Sequence, residues 1–427
     1  MLSTRGQTYA DSGLMSGYLK DKKAIYNRET NPNGAISFAN AENFLMQEEL
    51  LQYINAHRSI DVTHITYNEG PVGTQRLRTA MASHINDYFS PYEPVQSEHV
   101  TFTAGVTGLN EMIALSLTDE GQGILLGRPI YGPFHGDLVT KSKCEIVYSS
   151  FSSTDQFSPA CVEAYESAYL KALNEGVNIK AVLICNPHNP LGRCYSVETL
   201  KGLLLFCSKY GLHLISDEIY ALSTFEVEGA TRTPFTSILS IDLTGLIRKD
   251  FVHVLYGMSK DFGAAGLRLG CLITQNEPLT AAIQAIGRFN WPSELSVSMA
   301  TNILEDKAFV ADYTRKARLA LGRNYAIATG LLDQAGIKYA EHGNAGFFIW
   351  MDLSPYLGNY KNDAEGWEAE TKLKELLENN GITMSAGLAY KAERPGWFRI
   401  IFAIEQDALE ESIRRIVRLV NAEPFKQ

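Results

Sequence analysis

The sequence lacks paired cysteines, a long apolar run and an N-terminal leader of the secretory type. Its six cysteines lie singly at positions 144, 161, 185, 194, 207 and 271, with no CxxC pair. That spacing argues against a zinc site or a disulfide framework and indicates a reducing interior. No stretch approaches the ~20 apolar residues of a membrane span, and residues 1–6 lack the apolar run of a signal peptide. We therefore expect a soluble cytoplasmic protein without a metal site or a membrane partner.

Basic residues are also in the minority, and this excludes a further class of function. The 38 Lys and Arg residues face 48 Asp and Glu residues, a formal net charge of −10. A general nucleic-acid binder usually has a basic footprint, so no nucleic-acid partner is expected. The 427 residues allow two or three domain-sized units, and 45% of them are hydrophobic, as in ordinary globular proteins. A small-molecule enzyme is the class that remains.

The pattern of apolar residues changes near position 310 and predicts two structural units. Strand-like runs at 123–126, 181–185, 212–216, 251–256 and 269–274 alternate with helical stretches, which is typical of a mostly parallel α/β sheet buried on both faces. Beyond 310, helical stretches surround two strand-like runs, as in a smaller α+β unit. We predict an N-terminal segment (1–45) that joins the small domain, a large domain (46–310) and a small C-terminal domain (311–427). A last amphipathic helix carries Leu409, Ile413, Ile416 and Val420 on one face.

A lysine and an arginine follow the strand-like run that ends at Tyr256. Lys260, in Ser259-Lys260-Asp261-Phe262-Gly263, lies in a loop after a buried strand, where partial desolvation lowers an amine's pKa. Such an amine is a nucleophile towards an aldehyde. Arg268 lies among glycines, eight residues after Lys260, and the donors of its planar guanidinium group suit a phosphate. The alternatives are a solvated lysine and a structural arginine in a surface loop.

A carboxylate and a tyrosine follow another strand-like run. Asp217 ends that run, at the edge where open α/β sheets place their ligands. There a carboxylate can hold a pyridinium nitrogen protonated, which makes the ring an electron sink. Tyr220 is placed to hydrogen-bond a ring hydroxyl. An N-cap aspartate followed by a core tyrosine is the alternative.

Two further polar motifs stand at element ends. Asn189, in Asn186-Pro187-His188-Asn189-Pro190, follows a strand-like run, and its amide can donate to a ring hydroxyl oxygen; an ordinary turn is the alternative. Val106 and Thr107 open an amphipathic helix, whose N-terminal N–H groups form an anion site with the Thr107 hydroxyl as an extra donor. A simple capped helix start is the alternative there.

In this order and combination, the motifs resemble the class I/II aminotransferase superfamily, the fold-type I pyridoxal 5′-phosphate (PLP) enzymes. Within it the chain looks like the 1-aminocyclopropane-1-carboxylate (ACC) synthase branch and its fungal carbon–sulfur lyases. The matching segments span nearly the whole chain. They are Asn31-Pro32-Asn33-Gly34, Ala41-Glu42-Asn43, Asn189-Pro190-Leu191-Gly192, Ser259-Lys260-Asp261, Asn344-Ala345-Gly346 and Pro395-Gly396-Trp397-Phe398-Arg399.

The resemblance implies PLP as cofactor and a role for each residue around its ring. Lys260 would carry PLP as a Schiff base and then shuttle the Cα proton. Asp217 would pair with the pyridine nitrogen, while Asn189 and Tyr220 would address the ring hydroxyl. Tyr131 would stack on the ring.

It also implies how the phosphate and the substrate are held. Val106, Thr107, Ser259 and Arg268 would bind the phosphate. Arg399 would clamp the substrate α-carboxylate through a bidentate pair, the alternative being a strand arginine in a surface ion pair. A homodimer with active sites shared across the subunit interface is implied as well.

The chain departs from the resembled pattern at two positions. Pro71 stands where the branch carries a tyrosine that reaches the partner subunit's cofactor. Tyr67, four residues upstream, is interpreted as a core or strand tyrosine, with replacement of the missing hydroxyl as the alternative. Gly257 stands where the family usually has a serine, so one phosphate donor is missing. Arg288 is the only basic residue we can suggest for binding an acidic side chain of the substrate, and we expect it on the surface.

Glu42 retains the acidic residue that the branch places beside the distal group of the substrate. A carboxylate there favours a cationic or polar substituent, and a solvated glutamate at a helix start is the alternative. We therefore predict an enzyme that forms an external aldimine with an α-amino acid and removes its Cα proton. Elimination or displacement at Cβ or Cγ then follows. The alternatives are an aminotransferase that uses a 2-oxo acid and a protein of this fold that has become a regulator or scaffold.

Overall fold

The computed structural model describes residues 1–11 and 25–422 of the chain. Parts of the predicted N-terminal segment and the last five residues of the predicted small domain lie outside the described residues. The described strands are β1 (Ile36–Ser37), β2 (Val100–Thr103), β3 (Gly123–Gly127), β4 (Glu145–Ser149), β5 (Ile179–Cys185), β6 (His213–Asp217), β7 (Val252–Gly257), β8 (Gly270–Thr274), β9 (Phe348–Asp352), β10 (Ile382–Thr383), β11 (Ser385–Ala386) and β12 (Trp397–Ile401).

The described α-helices alternate with the strands from β2 to β6, whereas no described α-helix separates β6, β7 and β8. They are α1 (Thr4–Asp11), α2 (Gln47–His57), α3 (Gln75–Tyr88), α4 (Val106–Leu117), α5 (Phe134–Ser142), α6 (Cys161–Asn174), α7 (Val197–Tyr210), α8 (Glu277–Gly287), α9 (Glu294–Glu305), α10 (Lys307–Gln334), α11 (Asp363–Asn379) and α12 (Gln406–Val420).

Seven strands form one sheet in the order β2-β8-β7-β6-β5-β3-β4. The pairs of β8 with β2 and with β7 are antiparallel, and the others are parallel. Both faces are covered, since Leu183 and Ile215 belong to one apolar cluster and their neighbours Val182 and Leu214 to the other. Burial on both faces explains why these strands are continuous apolar runs. The predicted mostly parallel α/β sheet is confirmed, and it has seven strands.

A smaller α+β unit follows the seven-stranded sheet. Strands β11, β12 and β9 form an antiparallel sheet, and β1 pairs in parallel with β10. Helix α12 packs the side chains of Leu409, Ile413, Ile416 and Val420 into the core, as its pattern predicts. The long helix α10 passes through residue 310, and the boundaries at 45 and 310 stay predictions. Within the described part of the chain, no helix is long and apolar enough to cross a membrane.

Candidate functional site

The candidate residues meet at the carboxyl ends of the parallel strands. Asp217 is the last residue of β6, Lys260 follows the end of β7 by three residues, and Tyr131 follows the end of β3 by four. Cys185, the last residue of β5, pairs in register with Asp217, so the segment that carries Asn189 begins beside it. Parallel strands end at one edge of the sheet, which is where open α/β folds bind ligands.

Lys260 lies half-buried in the loop after β7, with opposing charges around it. Its Nζ donates a hydrogen bond to the Ala41 carbonyl oxygen at 2.7 Å. Burial, and after it the charge of Arg399, lowers its pKa from the ordinary 10.5 to about 8, although the charges of Glu42 and Asp217 oppose this shift. The amine is therefore available as a nucleophile and base near neutral pH.

Asp217 is buried at the end of β6, and burial raises its pKa to about 7. Its Oδ1 accepts a hydrogen bond from the Ile219 N–H at 3.2 Å, and the positive charge of Lys260 favours the carboxylate. The neighbouring Glu218 is bound differently, because its carboxylate accepts hydrogen bonds from Ser216, Ser237 and Ile238. Asp217 is thus the carboxylate at this edge of the sheet that is available to pair with a cation.

Arg399 is buried on β12, where an isolated guanidinium is costly unless it is paired. Its Nη1 donates to Asn189 Oδ1 at 3.3 Å and its Nη2 to the Ala39 carbonyl oxygen at 3.2 Å. Its Nε is buried without a partner, and the described residues supply it with no carboxylate partner. The expected alternative, a surface ion pair, is wrong for this side chain. An anion that enters the site would complete its hydrogen bonds.

Asn189 and two tyrosines line the space between these charges. Asn189 is buried, and its amide nitrogen makes no hydrogen bond to the described residues. Tyr220 is buried, with its ring edge-on to Phe348 at 5.2 Å. Burial raises the pKa of the Tyr220 hydroxyl, and the charge of Arg399 opposes this shift, so the hydroxyl and the guanidinium lie close together.

The predicted phosphate residues surround the start of α4. Gly105 caps the helix with φ +98°, and Val106 and Thr107 form its first turn. A Cβ on Gly105 would lie 2.4 Å from Arg268 Nη2, so the guanidinium lies directly against this peptide. Thr107 is exposed and Ser259 is buried. Helix N–H groups with an adjacent exposed arginine suit an anion such as a phosphate.

The structure also accounts for the departures from the resembled pattern. A Cβ on Gly257 would lie 2.5 Å from the Leu269 carbonyl oxygen, so the pairing of β7 with β8 leaves no room for a serine there. Tyr67 is 82% exposed and its ring lies 5.3 Å from that of Trp291. The expectation of a core or strand tyrosine is therefore wrong. Arg288 is exposed, as expected, with its guanidinium over the Phe289 ring.

Asp261 anchors the lysine loop, and the sequence argument assigned it no role. Its carboxylate accepts hydrogen bonds from Leu222 N–H at 2.9 Å, Ser223 Oγ at 2.6 Å and Tyr256 OH at 2.9 Å. These bonds tie Lys260 to the segment that follows β6. The signal available in the sequence is only that an acidic residue follows the lysine, because its partners lie up to 39 residues away.

The segment 36–44 closes the site from the small unit. Phe38 N–H donates to the Thr383 carbonyl oxygen at 2.7 Å, and Phe44 N–H donates to that of Ala403 at 2.9 Å. Between these anchors, the carbonyls of Ala39 and Ala41 accept from Arg399 and Lys260. Glu42 lies half-buried at this point, and its charge acts on the Lys260 amine. The structure thus brings Glu42 beside the lysine and the arginine.

This donor set fits PLP. The ring nitrogen needs a carboxylate such as Asp217, the aldehyde needs an amine such as Lys260, and the phosphate needs the cradle formed by Val106, Thr107 and Arg268. Arg268 packs closely on Gly105, so the guanidinium and the helix start lie side by side in this cradle. These features define the class of protein: an enzyme of the PLP-dependent aminotransferase superfamily.

Comparison with known proteins agrees with this class. The model of the family aminotransferase class I and II matches residues 51–416, and the chain belongs to this family. The chain is 33% identical to the "Probable aminotransferase gliI" of Aspergillus fumigatus, over 92% of this chain and 90% of the relative. It is 30% identical to "1-aminocyclopropane-1-carboxylate synthase 2" of Cucurbita pepo, over 95% of this chain and 83% of the relative.

Solved structures show the same fold. An aromatic aminotransferase from Pyrococcus horikoshii superposes with a TM-score of 0.72 at 18% identity, over 92% of this chain and 96% of that chain. An aspartate aminotransferase from Thermus thermophilus in complex with maleate superposes with a TM-score of 0.70 at 17% identity. The resemblance to the superfamily and to its ACC synthase branch is confirmed.

Proposed function

We propose that this protein is a PLP-dependent enzyme that acts on an α-amino acid, with Lys260 as the attachment point of the cofactor. The observation that carries the proposal is the buried guanidinium of Arg399, which has no carboxylate partner among the described residues and an unpartnered Nε. A buried charge without a counter-ion is destabilising unless a ligand completes the pair. The α-carboxylate of an amino acid has the charge and the two-oxygen geometry that this fork requires.

The side chains around this point divide the work between binding and proton transfer. Arg399, oriented by its hydrogen bond to Asn189 Oδ1, holds the substrate carboxylate, which places the Cα hydrogen beside the lysine. Lys260 Nζ, with a pKa lowered by burial to about 8, takes the Cα proton and can return it or deliver it elsewhere on the substrate. Ala41 and Ala39 hold the two cations in place through their carbonyl oxygens.

The cofactor, when bound, supplies an electron sink for the charge that Cα develops. Asp217 would keep the ring nitrogen protonated, Tyr131 would lie on the ring face, and Asn189 and Tyr220 would address the ring hydroxyl. The start of α4, Ser259 and Arg268 would hold the phosphate. Burial of Asp217 at the end of β6 supports its assignment, since a desolvated carboxylate interacts strongly with a cation.

For the reaction type, we propose elimination or displacement at Cβ or Cγ, as in ACC synthases or carbon–sulfur lyases. The supporting observation is Glu42, whose negative charge acts on the Lys260 amine and so lies within the site. A carboxylate there attracts a cationic or polar distal group on the substrate. The ACC synthases among the relatives share this branch.

Amino-group exchange with a 2-oxo acid is the second candidate. The names of three fungal relatives, from Aspergillus fumigatus, Leptosphaeria maculans and Claviceps purpurea, support it, because each is called a probable aminotransferase. The same residues serve either reaction, since the cofactor provides the electronics and the protein steers them.

A product survey with one matched pair of variants separates the two reactions. Purified enzyme with saturating PLP is given cysteine conjugates, S-adenosylmethionine or alanine with a 2-oxo acid. The assay follows 2-oxo acid, cyclic product and amino exchange. Elimination predicts that Glu42→Gln lowers turnover of the substrate with a distal group far more than exchange of alanine. Glu48→Gln, an exposed glutamate on α2, is the control and should change neither rate. Rapid exchange without any elimination or cyclic product contradicts the lyase proposal.

We also propose a homodimer with active sites at the interface. Ile60, Val62, Ile65 and Phe289 are more than half exposed, and Tyr67 lies against Trp291 beside them. An exposed apolar group of this size is typical of a protein–protein contact. It lies on the segment next to α9 and near the start of α4, which supports an interface close to the site. Sedimentation at micromolar concentration tests it, and a strict monomer would contradict it.

A further inference from the structure

The peptide that precedes α4 is held from both sides by residues distant in sequence. The Ala104 N–H donates to the Asn290 carbonyl oxygen at 2.8 Å, and the Ala104 carbonyl oxygen accepts from Arg268 Nη2 at 3.4 Å. The turn Arg288–Asn290, which follows α8, therefore lies beside the same helix start as the guanidinium of Arg268. Its neighbours Phe289 and Trp291 belong to the proposed interface, but Asn290 faces the helix.

The Asn290 side chain lies on the first turn of α4. A Cβ on Gly108 would lie 2.8 Å from Asn290 Oδ1 and 3.1 Å from its Cγ, so the carboxamide packs directly against the glycine. Gly108 is the third residue of the helix, and its N–H donates to the Gly105 carbonyl oxygen at 3.1 Å, so the N–H groups of Val106 and Thr107 are the ones left for an anion. Among the described residues, the Asn290 carboxamide makes no hydrogen bond, and it is half-buried, so its N–H donors are free to bind a ligand.

The phosphate cradle formed by Val106, Thr107 and Arg268 lacks one hydrogen-bond donor that the family usually has. Gly257 has no hydroxyl, and its Cβ position is blocked by the Leu269 carbonyl oxygen at 2.5 Å. No side chain can therefore reach an anion from that point without moving β8. A carboxamide nitrogen brings two N–H donors, and Asn290 is the polar side chain that lies against the helix start from the opposite segment.

We propose that Asn290 is a phosphate-binding residue of the cofactor site, donating from Nδ2 to a phosphate oxygen. The inference rests on the proposed function, because the anion is taken to be the cofactor phosphate. It assigns to Gly108 a second role: only a residue without Cβ lets the carboxamide approach the helix start. Arg268 supplies the charge from one side of the Ala104 peptide, and Asn290 supplies a neutral donor from the other.

The test compares two ligands that differ only in the phosphate. Dissociation constants of PLP and of pyridoxal are measured by fluorescence quenching on cofactor-free wild type, Asn290→Ala and Asn290→Asp. Loss of a hydrogen bond to a charged group predicts that Asn290→Ala weakens PLP about 10- to 100-fold and leaves pyridoxal unchanged. Asn290→Asp should weaken PLP more, because the carboxylate repels the phosphate, and again spare pyridoxal.

Two further variants keep the test decisive. Gly108→Ala displaces the carboxamide without removing it, and should weaken PLP selectively even if Asn290→Ala folds poorly. Asn421→Ala, which changes an exposed asparagine at the end of α12 that bonds the Val417 carbonyl oxygen, is the control and should leave both constants unchanged. An equal loss for PLP and pyridoxal, or no loss for either, overturns the role of Asn290. Failure of wild type to bind PLP at all overturns the proposed function itself, and is distinguishable from both.

Discussion

The lysine amine should respond in opposite directions to the loss of its two charged neighbours. Burial and the positive charge of Arg399 lower the Lys260 pKa, and the negative charge of Glu42 raises it. Arg399→Gln should therefore raise the pKa above about 8. Glu42→Gln should lower it below that value. Glu42→Gln keeps the shape of the side chain, so the charge is its principal change; Arg399→Gln removes the charge and also shortens the side chain.

The size of each effect follows from the size of the whole shift. Lowering the pKa from 10.5 to about 8 corresponds to about 3 kcal/mol, at ~1.4 kcal/mol for each tenfold change. At pH 8 roughly half of the Lys260 amines are then neutral. This neutral fraction is on the order of 10² times that of an ordinary lysine. Because burial is the largest cause and is unchanged, each single variant should move the dissociation constant of the amine by roughly tenfold.

The assay is the rate at which PLP attaches covalently to the cofactor-free protein, followed by absorbance at saturating PLP between pH 6 and 10. The midpoint of the rate against pH should lie near 8 in wild type, higher in Arg399→Gln and lower in Glu42→Gln. Glu48→Gln serves again as the control with an unchanged midpoint. Shifts of both variants in the same direction, or none in either, would refute the assigned electrostatics.

Four other variants test the remaining parts of the site. Burial raises the pKa of Asp217 from 3.8 to about 7, so this group's stabilisation is present below pH 4 and lost as the pH rises to 7. Asp217→Asn should therefore raise the Tm of the cofactor-free protein at pH 8 and not at pH 4. Turnover of the same variant with PLP should fall on the order of 10²-fold. A lower Tm at pH 8 contradicts this reasoning. Arg399→Ala should cost about 2–5 kcal/mol in kcat/KM for any amino acid, as for a buried pair that loses a partner, and a near-normal kcat/KM would exclude carboxylate binding there. Asp261→Ala should lower the Tm and slow PLP attachment at Lys260, whereas Tyr256→Phe, which removes one of three hydrogen bonds, should have the smaller effect on both; equal effects would show that the carboxylate does not fix the loop.

The strand ends could be predicted from the sequence because each strand is buried on both faces. An apolar run such as 181–185 ends where the chain leaves the core, and the first polar residues after it must lie at the edge of the sheet. Asp217, Asn189 and Lys260 were located in this way, and Thr107 through the start of its helix. The final amphipathic helix followed from its apolar spacing alone.

The contacts that complete the site depend on loops that meet only in the folded chain. Asp261 and Asn290 belong to no periodic pattern, and their partners are fixed by the approach of segments far apart in sequence. Tyr67 shows the opposite failure: a tyrosine predicts a core or strand position, yet its segment lies on the surface next to Trp291. An exposed apolar face is indistinguishable from a core stripe until the packing of its segment is known.

The most direct test of the proposed function is the site of covalent cofactor attachment. Wild type and Lys260→Ala are incubated with PLP, reduced with borohydride and mapped by peptide mass spectrometry, with circular dichroism to show that the variant is folded. We predict a single reduced adduct on Lys260 in wild type and no reducible PLP in the folded variant. Covalently reducible PLP at another lysine, or its retention by Lys260→Ala, would contradict the assignment on which the proposed function depends.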